Sequence, residues 1–186
     1  MYNKLIPWLE IIHGDVKPQN VLVFEDSPGI YIAKVADFGF STHFYGEQNL
    51  ISMPKSVPWS APEHHHRYFC PQDAKAMDVY SFGMLCLWLL FGAESSETMT
   101  YPSGAANDAA SFSFEARDWF QKGDLLLSWK RDRLLEWAIQ QVSEDKHFTT
   151  EMVDKVTQFF RSSLCFDSQT RVLDWHYLLR LLALPQ

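Results

Sequence analysis

The sequence predicts a mainly α fold with a small β-hairpin region near its start. Three observations carry that prediction. A turn-rich string, Glu25-Asp26-Ser27-Pro28-Gly29, separates two short apolar runs at 21–24 and 31–34, the pattern of a hairpin. Residues 79–91 form the most apolar run of the chain, as a buried helix does. Residues 151–162 and 171–183 repeat apolar side chains at helical spacing. With 186 residues, 47% of them hydrophobic and 15% aromatic, the chain can bury one real core.

Taken in order, Leu5, Trp8, Leu9 and Ile12 have helical spacing, so 1–12 reads as the end of a helix. The string His13-Gly14-Asp15-Val16-Lys17-Pro18-Gln19-Asn20 follows. Pro18 blocks helix and biases Lys17 to an extended conformation, so 13–20 should form a tight loop. The hairpin then returns the chain, bringing Asp37-Phe38-Gly39 beside Asn20. Asp15, Asn20 and Asp37 are hard oxygen donors and Lys17 is a point cation, a set suited to magnesium and phosphate oxygens. Asp and Asn beside proline are also ordinary turn residues; it is the ordered set that points to chemistry.

Residues 40–60 mix Ser41, Thr42, Ser52 and Ser56 with Gly46 and Pro54 and read as a mobile loop. His64-His65-His66 and Cys70 match no closed zinc set, because adjacent histidines cannot converge on one ion. Asp78 is placed as the N-cap of the apolar helix. Residues 94–107 read as a surface loop with Glu94 and Glu97 as solvated acids. Phe114, Trp119, Phe120, the run 125–129, Leu134, Leu135 and Trp137 give helical spacings. Thr150 is read as the cap of the 151–162 helix.

Composition excludes several classes. A formal charge of −7 with no basic stripe argues against nucleic acid. The apolar run at 79–91 is shorter than the ~20 residues of a membrane span, and no secretory leader is apparent. Three scattered cysteines without a C-x-x-C pair argue against a disulfide frame and fit a reducing compartment. The expectation is an intracellular, cytoplasmic protein.

The loop and the Asp37-Phe38-Gly39 triplet resemble the catalytic and magnesium-binding loops of protein kinases, H-R-D-L-x-x-x-N followed by D-F-G. The resemblance implies that Asp15 accepts the proton of a substrate hydroxyl, Lys17 steadies the transferred phosphate, and Asn20 and Asp37 hold Mg2+ with ATP as phosphoryl donor. It places His13 and Phe38 in an apolar spine, which Leu85 and Leu89 would extend under Leu22, Gly39 in the magnesium loop and Leu22 under adenine. Lys17 follows the serine/threonine pattern, so the implied partner is a protein substrate with a Ser or Thr hydroxyl. Ala61-Pro62-Glu63 matches A-P-E, Trp59 resembles the tyrosine-kinase-like group, and Ser56 falls where a Ser or Thr contacts the catalytic Asp and Lys. Asp78 matches an Asp that bonds the catalytic-loop backbone. The segment around Asp167 and Arg171 resembles D-P-x-x-R, with Ser168 for Pro, so Arg171 is expected to pair with Glu63.

By that match the chain is one kinase-like domain over 1–186, the C-terminal lobe only. It divides into a helix stub at 1–12, catalytic and magnesium loops at 13–39, an activation segment at 40–63, and a helical subdomain at 64–186 with a variable insertion near 93–120. Two departures stand out. Gly14 replaces the usual Arg, so loop phosphorylation should couple weakly to activity. No G-x-G-x-x-G or V-A-I-K string occurs in the 186 residues. Three readings follow: a serine/threonine kinase catalytic domain or part of one, an inactive kinase-like binding module, or one portion of a longer coding sequence. An apolar patch at Leu22, Phe38 and His13 is expected to need a covering partner.

Overall fold

The computed structural model describes residues 11–43, 50–91, 99–100, 111–112 and 133–183. Their centre is α1, Pro71–Phe91, a 21-residue helix. Proline is favoured at a first helical position because its missing N–H has no partner there, and Cys70 C=O receives the Ala74 N–H at 3.0 Å. The helix therefore starts seven residues before Asp78. Asp78 is an interior, buried residue of α1 and not its N-cap. At 21 residues α1 is long and apolar enough to cross a membrane, but 67% of its most apolar window is buried inside the protein, as in a core helix.

Three helices pack around it: α2, Leu134–Glu144; α3, Thr150–Ser163; and α4, Trp175–Leu182. α3 touches α1, α2 and α4. Tyr80, Met84 and Leu87 of α1 share a core with Phe159, Phe160, Leu164 and Leu178. Phe82 sits edge-on to Phe159 at 5.8 Å and to Trp175 at 5.4 Å. Thr149, one residue earlier than expected, caps α3 by accepting the Met152 N–H at 3.3 Å. Asp174 does the same for α4 through Tyr177 N–H, so the last helix begins at Trp175, after a single 3-10 turn at Ser168–Thr170.

Strand pairs cover one end. β1, Ile11–Ile12, pairs with β4, Thr42–His43. Ile12 is thus in a strand and not at the end of a helix; residues 1–10 lie outside the described residues. β2, Val21–Ser27, and β3, Ile30–Val35, form the expected hairpin, longer at both ends than read from sequence. Its turn uses Gly29 at φ +78°, a conformation glycine adopts without a Cβ clash. β5, Ile51–Ser52, pairs with β6, Tyr68–Phe69. β7, Met99–Thr100, pairs with β8, Ser111–Phe112, inside the region read as loop and then helix. The rest of 94–107, and the helical spacings from Phe114 through 129, lie outside the described residues.

The end of α1 also differs from expectation. Leu85 is buried, but Leu89 is 57% exposed, so the spine does not continue through it. All three cysteines are unbridged.

Gly83 lies where α1 crosses the end of α3. A Cβ there would meet Ser163 Oγ at 2.7 Å and Leu164 Cδ2 at 2.8 Å, and both neighbours are fully buried. Overpacking of this kind costs about 1–3 kcal/mol, more than the ~1 kcal/mol of helix propensity alanine brings. Gly83→Ala is therefore expected to lower the chemical-denaturation midpoint, and an unchanged or raised midpoint would contradict the tight crossing.

Candidate active site

The loop at 13–20 is held from behind by α1. Asp78 Oδ2 accepts the His13 N–H at 2.6 Å and Oδ1 accepts the Gly14 N–H at 2.9 Å. The carboxylate is 5% exposed. Burial pushes its pKa up to about 6, against the two backbone N–H bonds that favour the anion. Gly14 has φ +83°, and a Cβ on it would stand 3.1 Å from the Phe40 carbonyl oxygen. The missing arginine is thus matched by a backbone that disfavours any side chain at this position.

His13 is buried and ties the loop to the hairpin. Its Nδ1 accepts the Asp15 N–H at 3.3 Å, and Nε2 donates to the Ala36 carbonyl at 3.0 Å. The ring meets Phe38 edge-on at 5.1 Å. Ser41, read from sequence as one of the hydroxyls of the 40–60 loop, donates from Oγ to the His13 carbonyl at 3.1 Å.

Asp15 is the centre of the cluster. Lys17 Nζ lies 2.6 Å from Oδ2, Ser56 Oγ donates to Oδ1 at 2.6 Å, and Asn20 Nδ2 donates to Oδ2 at 3.1 Å. Lys17 Nζ also reaches Ser56 Oγ at 3.4 Å. Burial opposes ionisation of Asp15, but the Lys17 and Ser56 hydrogen bonds, the Lys17 charge and the Asn20 amide outweigh it and hold the carboxyl below its ordinary value. Lys17 is extended, as Pro18 dictates.

Asn20 spends its second amide hydrogen on the Asp15 carbonyl at 2.8 Å. With both hydrogens committed, its carbamoyl oxygen is the atom left to face a ligand. The Ala36 N–H bonds the Asn20 carbonyl at 2.8 Å, so the residue after Ala36, Asp37, follows directly on the backbone of Asn20. Asp37 is exposed and takes the left-handed conformation at φ 60°, with its carboxylate accepting the Gly39 N–H at 3.3 Å. An Asp there tolerates the strain better than most residues. The pair offers two hard oxygens of the kind Mg2+ takes, with phosphate and water oxygens completing the shell. Among the described residues no three His, Cys, Asp or Glu side chains cluster as a metal site; His64 Nε2 is instead 3.1 Å from the Met53 carbonyl.

Leu22 and Phe38 are 48% and 56% exposed, but His13 is buried, so the expected apolar patch excludes it. The patch runs instead over the hairpin through Val23, Phe24, Ile32 and Val35. Glu63 and Arg171 meet as expected, with Nη1 to Oε1 at 2.5 Å and Nη2 to Oε2 at 2.9 Å. The guanidinium also reaches the carbonyls of Cys165, Ala76 and Phe166, using all five donors, and lies over the Tyr80 ring at 4.8 Å. Two further serines went unread: Ser60 Oγ accepts the Ser56 N–H at 2.7 Å, and Ser81 Oγ donates to the Trp59 carbonyl at 3.0 Å. Nothing in a single sequence marks such pairs, since Ser81 and Trp59 stand 22 residues apart.

A helical lobe whose core helix anchors an Asp, Lys and Asn loop beside an Asp-Phe-Gly turn is the architecture of a protein kinase-like fold. The family model described as Protein kinase domain matches residues 7–178, and the chain belongs to that family. It is 36% identical over 98 residues to the SNF-related serine/threonine-protein kinase of Rattus norvegicus, covering 50% of this chain and 12% of that protein. It is 31% identical over 152 residues to cysteine-rich receptor-like protein kinase 2 of Arabidopsis thaliana, covering 81% of this chain and 21% of that protein. The chain spans a small part of the length of the curated relatives it matches. Members of the family generally use ATP and Mg2+ and act on protein substrates.

Two outcomes test this geometry. Arg171→Ala leaves Glu63 without its partner, and breaking such a pair costs about 3–5 kcal/mol. Arg171→Lys should rescue only part of this, since an ammonium has three donors and no planar fork; full rescue in urea melts would contradict the five-bond arrangement. For Asp78 the raised pKa means that the folded chain binds a proton which the unfolded chain has already released between its ordinary value of 3.8 and about 6. Its contribution is fully present below that window and is lost as pH rises through it. The stability of wild type relative to Asp78→Asn is thus expected to fall by a few kcal/mol from pH 4 to pH 6, measured by denaturant titration; a flat difference would refute the buried carboxylate.

Proposed function

We propose that this chain is catalytic-domain sequence of a serine/threonine protein kinase, moving the γ-phosphoryl group of ATP to a Ser or Thr hydroxyl of a protein. The observation that carries the reading is the Asp15 carboxylate, buried, anionic, and already holding a hydroxyl, that of Ser56, at 2.6 Å. An acceptor hydroxyl is positioned by the same carboxylate. Its oxygen attacks phosphorus, the bond from phosphorus to the ADP oxygen breaks, and the proton passes to Asp15. A carboxylate with a lowered pKa is a weak base. It suits a loose transition state, in which the acceptor proton leaves late and orientation matters more than basicity.

Lys17 stands 2.6 Å from Asp15 and can extend its charge to a phosphate oxygen without leaving the carboxylate. Asn20 and Asp37 are the residues that would hold Mg2+. Bound there, the ion neutralises charge on the phosphate oxygens. Leu22 supplies an apolar surface for the adenine ring.

The exposed apolar hairpin favours a second reading. A kinase-like module without turnover would dock partners through that face and the groove at 53–63, and the 186 residues hold no glycine-rich loop or strand lysine. A single experiment separates the two. The purified chain is melted with and without Mg–ATP and offered serine and tyrosine peptides. The kinase reading expects a magnesium-dependent rise in Tm and slow transfer to serine only. Asp15→Asn should keep the rise and lose transfer by about 10²-fold or more, whereas Asp37→Asn should lose the magnesium dependence of the rise. Neither rise nor transfer would leave the docking module.

A further inference from the structure

Segment 50–70 crosses the mouth of the site. Ser56, near its middle, bonds Asp15, and the β5–β6 pair joins its two ends. The molecule carries a net charge of −7, yet this segment runs the other way. Its one acid is Glu63, whose carboxylate is held by Arg171. Lys55, His65, His66 and Arg67 are all exposed, and none pairs with an acid among the described residues.

These four side chains lie on one short segment whose two ends are pinned together by the β5–β6 pair. Lys55 is the residue before Ser56. Arg67 precedes Tyr68, which pairs with Ser52, and its guanidinium lies over the Tyr68 ring at 5.5 Å. The His64 ring reaches the Met53 carbonyl, tying the histidine run to the strand that leads to Lys55. The His65 and His66 rings are 4.2 Å apart. Lys55 and Arg67 carry the positive charge here and the two imidazoles add hydrogen-bonding groups, and positive charge on an acidic molecule concentrates anions where it stands.

We propose that this segment selects protein substrates whose acceptor Ser or Thr is flanked by anionic side chains. The identity of the acceptor rests on the kinase reading above; the charge selection does not. A short acidic peptide matches two cations and two imidazoles confined to one short segment. A long nucleic acid would extend onto the acidic remainder of the surface.

Fluorescent serine peptides flanked by Asp and Glu, by phosphoserine, by Ala and Gln, or by Arg provide the test, read by anisotropy and by phosphate transfer. Exposed ion pairs are each worth a factor of a few. The acidic peptides should therefore bind about fivefold or more tighter than the neutral one, and the gap should close near 0.5 M salt, where screening is strong. The tighter of the carboxylate and phosphoserine peptides names the source of the charge. Combined Lys55→Gln, His65→Gln, His66→Gln and Arg67→Gln should erase the preference, leaving the melting temperature and neutral-peptide binding unchanged. Asp15→Asn should retain the preference in binding. Equal binding of all peptides, a preference that survives the fourfold variant, or tighter binding of an RNA oligonucleotide would each overturn the proposal. Acidic preference with no transfer to any peptide would sustain the surface and defeat the kinase reading.

Discussion

One buried carboxylate, in the core helix, sets the position of the loop that carries Asp15, Lys17 and Asn20. Asp78 offers its two oxygens to consecutive backbone N–H groups, those of His13 and Gly14. α1 is buried along most of its length and cannot shift without opening the core. The loop is therefore referred to the most rigid part of the molecule. From that anchor the remaining positions follow: His13 reaches forward to the Ala36 carbonyl, the hairpin closes on Asn20, and Asp37 is delivered to the same edge. Gly14 turns with positive φ because the two N–H groups must face α1 while the chain bends away under Phe40.

Asp78 and Asp15 are pushed in opposite directions, and their surroundings explain why. Burial of Asp78 outweighs the two backbone N–H groups that favour its anion, so its pKa rises. Asp15 has an ammonium, a hydroxyl and an amide around it, and these overcome a burial penalty of the same kind. Asp78 adds to stability below its window and Asp15 above its own, so the two do not oppose each other across one pH range. At neutral pH both are ionised, one holding the loop and the other presented to the cleft.

Much of this was legible in the sequence because it is local. Pro18 forced the extended Lys17 and the Ser-Pro-Gly turn predicted the hairpin, whereas the Glu63–Arg171 pair, 108 residues apart, was readable only through the family resemblance. What was missed was fixed by long-range packing. The start of α1 moved seven residues because Pro71 can occupy a first turn, which the apolar run alone does not reveal. Ile12 became a strand residue because a partner at Thr42 was available, a pairing stronger than a short periodic pattern. His13 has the same loop context as Phe38, yet one is buried and the other open, and only the position of Asp78 decides which.

The two sides of the cleft are organised to different degrees. On the acceptor side Asp15 is 5% exposed and carries a hydrogen bond or ion pair from three different side chains. On the nucleotide side Leu22 and Phe38 are about half exposed, and Asp37 is held by a single turn bond. Preorganisation lowers the cost of a step only for the group it holds. Acceptor positioning in the proposed transfer is thus built into these residues, with Lys55 and its neighbours at the rim choosing which peptide arrives. On the proposed kinase reading, the open apolar hairpin offers adenine one wall among the described residues, so the nucleotide side is the less preorganised of the two.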